Sequence, residues 1–198
     1  LNKENFHKLI DRLTASEIEN IKRTSTIPVI RKAFDYFEKT GHSNSEMAKR
    51  IKSNFRFENC ISANNDDEAE MNQILLNTLE DAGNPIRAVF AVMKLNEGWD
   101  VLNLFDIVRL YEGRDSKGNK AGSTTISEAQ LIGRGARYFP FELKKGEDKF
   151  KRKFDDDIEN ELKTIEELYY HTKEDSKYIS ELKKALVESG IYDDEDKM

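Results

Sequence analysis

Two arginines in a short glycine-containing segment are the residues of this sequence best suited to bind a phosphate. The segment QLIGRGAR, residues 130–137, places Arg134 and Arg137 three positions apart, a spacing that brings both to one face of a helix. A guanidinium group stays charged, and its planar fork binds phosphate oxygens in pairs. Gly133 and Gly135 each weaken a helix interior by about 1 kcal/mol. Their presence indicates close approach of a backbone or a ligand.

A second segment with possible phosphate chemistry is LNEGWDV, residues 95–101, about thirty positions earlier. Gly98 would let a backbone N–H approach a phosphate, and Asp100 could accept a hydrogen bond from a ribose hydroxyl or position an arginine. Simpler interpretations exist for both segments, because arginines at helical spacing often pair with surface acids and a Gly-x-Asp loop is common. The glutamine at position 130, the glycines and the preceding loop together favour the phosphate-binding interpretation.

Residues 1–57 are predicted to form helices that cover another layer of structure. Apolar residues recur at three- and four-residue spacing in FHKLIDRL, IPVIRKAFDYF and SEMAKRIKSNF, the period of amphipathic helices. Pro28 suits the start of the second helix. Ser43 or Ser45 could cap the third.

Residues 58–141 alternate between strand and helix patterns, as in a layered α/β domain. The runs IRAVFAV and LFDIVRLY are rich in Val, Ile and Phe and predict buried strands of a mostly parallel sheet. Acids open the first turn of one predicted helix. The expected elements are a strand, a helix, two strands and the helix that carries the arginines, at residues 58–65, 66–80, 86–92, 104–111 and from about Ser127.

Residues 142–198 predict a helical extension followed by an acidic tail. Helical patterns cover DDDIENELKTIEELYYH and SKYISELKKALVESG, and Tyr169 and Tyr170 fit the apolar face of the first of them. Gly190 is a natural stop for the second. The fold class expected from the whole pattern is α/β with a helical appendage.

Composition limits the classes of protein that this chain could be. No apolar run approaches the roughly 20 residues that cross a bilayer, and no secretory signal pattern opens the chain, so we expect a soluble, cytoplasmic protein. Cys60 is the only cysteine among 198 residues, which rules out an internal disulfide and a cysteine-rich zinc site. We expect it to be a buried thiol, and we expect no metal site.

Charge is unevenly distributed along the chain. The formal net charge is −6, yet residues 87–137 carry 8 Lys and Arg against 6 Asp and Glu, a net charge of +2. The acidity lies mainly in residues 138–198, with 12 basic and 18 acidic side chains. An acidic chain can therefore still present a local phosphate-binding surface.

The two glycine-containing segments together resemble motifs V and VI of superfamily two helicases and translocases. LNEGWDV, followed by the Q-x-x-G-R-x-x-R pattern of QLIGRGARYFPF, is most similar to the motor subunit, Res, of type III restriction endonucleases. The later run KRKFDDDIENELKTIEELYYH adds to that similarity, which covers roughly residues 55–190. The resemblance implies the second RecA-like motor domain, a three-layer α/β domain with a mostly parallel central sheet.

By that resemblance, ATP lies between this domain and the first motor domain. Arg134 and Arg137 are then expected to reach the γ-phosphate, and Gln130 and Gly133 to line the nucleotide site. Gly98 and Asp100 would couple the nucleotide to the DNA. Residues Lys94 and Asn96 beside that loop are expected to touch the DNA backbone.

The sequence contains no phosphate loop of the pattern G-x-x-x-x-G-K-[ST] and no DEAD-like acidic motif for Mg²⁺, both of which belong to the first motor domain. We therefore expect a fragment that does not hydrolyse ATP alone. The expected partners are DNA, the first RecA-like domain of the same polypeptide and a methyltransferase (modification) subunit. A nuclease centre is expected beyond Met198, because the acidic-x-Lys triplets at 142–144 and 161–163 arise easily in a highly charged chain.

A different class of function remains open from the sequence. The same fold could serve as a non-catalytic scaffold for protein or nucleic-acid partners, without an ATP cycle. A phosphate loop encoded upstream of Leu1 would favour the motor, and its absence would favour the scaffold.

Overall fold

The fold is seen in a computed structural model that describes residues 2–63, 70, 72–91, 101, 103–110, 123–134, 141–149, 151–172 and 176–190. Contacts divide the chain into two units. The first unit comprises Leu1–Lys94 and Asp156–Thr164, and the second unit comprises Leu95–Asp155 and Ile165–Met198. The three segments predicted from the sequence stay a prediction.

Four helices precede the first strand: α1 (Lys3–Arg12), α2 (Ala15–Thr24), α3 (Pro28–Lys39) and α4 (Asn44–Asn54). Capping boxes begin two of them. Thr14 caps α2 with Glu17, and Ser43 caps α4 with Glu46, so each side chain satisfies a backbone N–H that has no partner within the helix. The predicted helices, Pro28 in the first turn of α3 and Ser43 as a cap are confirmed. The sequence reasoning missed α2.

The core of the helical part is formed by Ile18 of α2 with Met47 and Ala48 of α4. Partly buried apolar side chains pack around these three residues: Leu13, Phe34, Phe37 and Ile51. Long charged side chains cover the outside, and one of them, Lys39, forms an ion pair with Glu161.

A pair of parallel strands, β1 (Cys60–Ala63) and β2 (Ala88–Ala91), follows the helices in the first unit, in register from Cys60 opposite Ala88. Both strands lie where the sequence predicts them, but the predicted burial of β2 is wrong, since its first three residues are only partly buried and Ala91 is exposed. Cys60 is 0% exposed, and burial raises the pKa of its thiol, so the expectation of a buried thiol is confirmed. Between the strands, α5 (Gln73–Asn77) ends before the predicted Glu80.

The early end of α5 has a local cause in Asn84, which is 7% exposed. The Asn84 side-chain amide donates to the carbonyl of Leu75 and to Thr78 Oγ1, and its Oδ1 accepts from the N–H of Ile86. These bonds fold the turn back against α5, because a buried amide needs its hydrogen-bonding partners.

The second unit contains another parallel pair, β3 (Asp106–Val108) and β4 (Tyr169–His171). This pairing was not predicted, because the sequence assigns residues 155–171 to a helix, and two predictions are wrong. Strand β3 is not buried, since Val108 is 56% exposed. Tyr169 and Tyr170 lie in a strand and not in a helix, because aromatic residues also favour strands and here the backbone of β4 pairs with β3.

Two helices complete the second unit: α6 (Ser123–Arg134) and α7 (Ser176–Glu188). Helix α6 begins four residues before the predicted Ser127, and α7 ends just before Gly190, which has a φ of +66° as expected for a helix stop. The described residues form two parallel sheets of two strands each. A three-layer RecA-like arrangement stays a prediction. No described helix combines the length and apolarity that would let it span a membrane.

Candidate functional site

Helix α6 carries the first half of the arginine motif. Gln130 is exposed on this helix and Gly133 is buried. Arg134 is the last residue of α6, and its side chain lies outside the described part of the structure. Arg137 also lies outside the described residues, as do the predicted positions Lys94, Asn96, Gly98 and Asp100.

The exposed and buried positions of α6 separate into two faces. Thr125, Ala129 and Gly133 are buried at four-residue spacing, whereas Ile126 and Gln130 are exposed. Residues four apart share a helix face, so the Gln130 side is the one that faces solvent. The amide of Gln130 can donate and accept hydrogen bonds there, which fits the predicted contact with a nucleotide.

The buried face of α6 packs on α7. Ala129 is 0% exposed and belongs to one core cluster with Tyr178, Leu182 and Ala185 of α7. Partly buried Ile132, Tyr170 and Leu186 surround this cluster. The helix that carries the motif is therefore attached to the second unit through its small and apolar side.

A buried ion pair holds α6 at a second point. Arg109, which follows β3, donates from Nε to Glu128 Oε1 of α6 at 3.0 Å, and the two side chains are only 7% and 12% exposed. The hydroxyl of Tyr178 donates to the other oxygen of Glu128. The arginine guanidinium also lies 4.0 Å from the centre of the Tyr178 ring, a cation–π arrangement.

Tyr170 extends this set of contacts to β4. Its hydroxyl lies 2.6 Å from that of Tyr178. Side chains from the end of β3, from β4, from α6 and from α7 thus meet around Glu128. We call Arg109, Glu128, Tyr170 and Tyr178 the buried polar cluster.

The protonation states of the buried polar cluster follow from its environment. Burial, and then the hydrogen bond to Glu128, raise the pKa of Tyr178 well above its usual range, so the phenol stays neutral. Burial alone would lower the pKa of Arg109, but the charge of Glu128 and the hydrogen bond to it outweigh burial and raise that pKa. The cluster therefore keeps the cation of Arg109 and the neutral phenol of Tyr178 around the side chain of Glu128.

Sequence reasoning missed the buried polar cluster. Arg109 lies in the mainly apolar run LFDIVRLY, and a charge in a strand that is predicted to be buried is a signal that a partner is needed. Nothing in the sequence pairs Arg109 with Glu128, which lies 19 positions away.

The two acidic-x-Lys triplets have ordinary surroundings. Glu142 forms an ion pair with Lys149 at 3.9 Å, in a segment of bends and turns. Glu161 begins a short 3-10 helix, Glu161–Glu166, and forms an ion pair with Lys39. Neither triplet lies on a strand. The described residues bring no three His, Cys, Asp or Glu side chains into a group that could hold a metal ion.

Known proteins match parts of this chain. The family HI_1054_N, described as an N-terminal region, matches residues 124–195, a stretch that includes most of α6 and all of α7. An uncharacterised protein of Haemophilus influenzae is 51% identical over 84 residues, which cover 41% of this chain and 18% of that protein. No solved structure matches the chain significantly.

A second relative carries a functional name. The probable type III restriction-modification enzyme HindVIP Res subunit of Haemophilus influenzae is 48% identical over 87 residues, which cover 39% of this chain and 16% of that protein. This chain thus spans less than a fifth of the length of either relative. The similarity links part of the chain to type III restriction-modification enzymes.

Proposed function

We propose that this chain is the second motor domain of an ATP-dependent DNA translocase, the restriction subunit of a type III restriction-modification system. In this proposal it supplies arginines to an ATP site that it shares with a first RecA-like domain. The first domain provides the phosphate loop and the acids that hold Mg²⁺. DNA and a modification subunit are the further partners.

The observation that carries the proposal is the segment QLIGRGAR, residues 130–137, whose first five residues form the end of α6. The exposure of Gln130 and the burial of Gly133 support a motif that faces a ligand on one side and packs closely on the other. The partial similarity to a Res subunit, 48% over 87 residues, supports the same class of protein. The parallel strand pairs are compatible with an α/β motor domain.

The proposed mechanism uses the arginines only when the two motor domains close on ATP. Arg134 and Arg137 then stabilise the negative charge that develops on the γ-phosphate, and Gln130 contacts the nucleotide or the attacking water. An arginine in this role contributes about 10³ to 10⁵ in rate, or roughly 4 to 7 kcal/mol of transition-state stabilisation. Gly98 and Asp100 couple that change to Lys94 and Asn96 on the DNA.

The test of this proposal is Arg137→Ala in the protein that joins this chain to its phosphate-loop domain. DNA-stimulated ATP hydrolysis is expected to fall by about 10³-fold or more, whereas ATP binding is largely kept, because the lost contact acts in the transition state. Arg50→Ala serves as a control, since Arg50 is an exposed arginine of α4 outside the motif.

Hydrolysis at the wild-type rate in Arg137→Ala would overturn the motor proposal. It would favour the scaffold, in which partner binding does not depend on an ATP cycle. A scaffold should also bind DNA or protein partners equally well with and without ATP.

A further inference from the structure

The apolar contact between α6 and α7 has few large side chains on the α6 side. Ala129 is completely buried there and Gly133 is also buried, and the larger Ile132 is partly buried against the same core. Small side chains offer few projections that interlock with a neighbouring helix. A slide of α6 by one residue would move it about 1.5 Å and require a rotation of about 100° to keep a residue facing α7.

Directional contacts at Glu128 remove this freedom. One carboxylate oxygen accepts from Arg109 Nε at 3.0 Å, and the other accepts from the hydroxyl of Tyr178. These partners come from two different elements, the residue after β3 and the first turn of α7. Hydrogen bonds weaken steeply as their angles degrade, so both can be kept only at one rotation and one axial position of α6.

Glu128 lies two residues before Gln130 and six before Arg134 on the same helix. A helix is stiff over such distances, so a fixed Glu128 fixes the backbone positions of the residues after it. The orientation of the motif helix is thus determined by a carboxylate whose side chain is only 12% exposed.

We propose that Glu128 is a positioning residue for the ATP site, because its bonds to Arg109 and Tyr178 set the register of α6 and so the placement of Gln130 and of the backbone of Arg134. This inference rests on the proposed function. Arg109 and Tyr178 take part in the same positioning, because they hold the Glu128 carboxylate through hydrogen bonds. Each is too deeply buried to be a phosphate ligand, with Arg109 7% and Tyr178 2% exposed.

The experiment compares Glu128→Gln and Tyr178→Phe with the wild type, in the protein that contains both motor domains. Both changes keep the shape of the side chain, and each removes part of the directional bonding. We expect kcat for DNA-stimulated hydrolysis to fall about tenfold while KM for ATP changes less than about twofold, since a displacement of about 1 Å can cost about a hundredfold in rate. Glu188→Gln on the exposed end of α7 is the matched control.

A merely structural role predicts a different pattern. The variants would then melt at a lower temperature but, assayed well below the melting temperature, would keep the wild-type kcat, and this result would overturn the inference. A second readout is the combination with Arg137→Lys. If Glu128 acts through the motif, Glu128→Gln should lower kcat less in the Arg137→Lys background than in the wild type, and equal effects in both backgrounds would also contradict the inference.

The outcomes separate the two proposals. Loss of hydrolysis in Arg137→Ala with unchanged kcat in Glu128→Gln leaves the motor proposal standing and removes the positioning role. Retained hydrolysis in Arg137→Ala removes both.

Discussion

Exposed ion pairs occur in both units of this chain, but among the described residues only the second unit also has a buried one. In the first unit Lys39 pairs with Glu161 and Lys22 with Glu38, and at least one member of each pair is more than half exposed. In the second unit Arg109 and Glu128 are 7% and 12% exposed, and aromatic hydroxyls and rings surround them. The same pair chemistry therefore has two physical roles.

This difference shows which ion pairs can fix the orientation of a helix in this molecule. Water and salt weaken an exposed pair, which can be replaced at little cost. The members of a buried pair cannot exchange each other for water. The pair therefore fixes the orientation of its two side chains, and the loss of one member strongly destabilises the fold. In the first unit, helix position depends instead on capping boxes and on the apolar core around Ile18.

The largest effect is expected from removing the cation of the buried pair. Arg109→Met keeps an apolar stem of similar length but leaves the Glu128 carboxylate buried without its cation. We expect a loss of about 3 to 5 kcal/mol in the free energy of unfolding, measured by urea denaturation of this chain with circular dichroism.

The double variant Arg109→Met with Glu128→Leu is the control for that measurement. It removes both charges, and its stability should return to within about 1 kcal/mol of the wild type. A single variant that loses less than about 1 kcal/mol would show that the pair is effectively solvated, and the contrast between the two units would disappear.

A smaller effect is expected from alkaline pH, because Tyr178 resists ionisation in the folded chain. Its pKa is raised in the folded state, so its contribution is fully present below the unfolded value of about 10 and is lost as pH rises above it. Only the unfolded chain releases this proton above pH 10. The free energy of unfolding should therefore fall by about 1.4 kcal/mol for each pH unit in that range.

Tyr178→Phe isolates this contribution from that of the lysines, which also titrate at high pH. Stability should be compared between pH 9 and pH 11 for both proteins, and the wild type should lose more of it. Equal slopes would mean that the hydroxyl ionises freely in the folded state, and that the buried polar cluster admits water.

Local structure was predictable from sequence where one side chain decides it. Pro28 and Ser43 mark helix starts through their own backbone geometry and hydrogen bonds, and the apolar runs around β1 and β2 predict those strands. The errors occur where a partner that is distant in the sequence decides the secondary structure. Tyr169 and Tyr170 follow a helical pattern, but pairing with β3 makes them a strand.

The candidate site shows the same division. The spacing of QLIGRGAR predicts a helix, and Gln130 lies on a helix as expected. Phosphate binding is predicted from its arginines together with the glutamine, the glycines and the preceding loop, and stays a prediction. The contact of Glu128 with Arg109 joins residues 19 positions apart, and that with Tyr178 joins residues 50 apart. No local periodicity encodes such contacts, because the fold brings them together.

The smallest effect is expected at the exposed pair of the first unit. Lys39→Met removes a cation just as Arg109→Met does, but the Lys39 side chain is 67% exposed. The hydrogen bond from Lys39, then a backbone hydrogen bond and then the charge of Lys39 lower the pKa of Glu161. The pair therefore contributes stability above the unfolded pKa of about 4 and loses it as pH falls. Because solvent screens this contribution, the urea midpoint of Lys39→Met should match that of the wild type at pH 7 within experimental error. Raising the salt concentration should leave the difference between the two midpoints unchanged. A midpoint shift as large as that of Arg109→Met would mean that exposure does not decide the role of an ion pair in this chain.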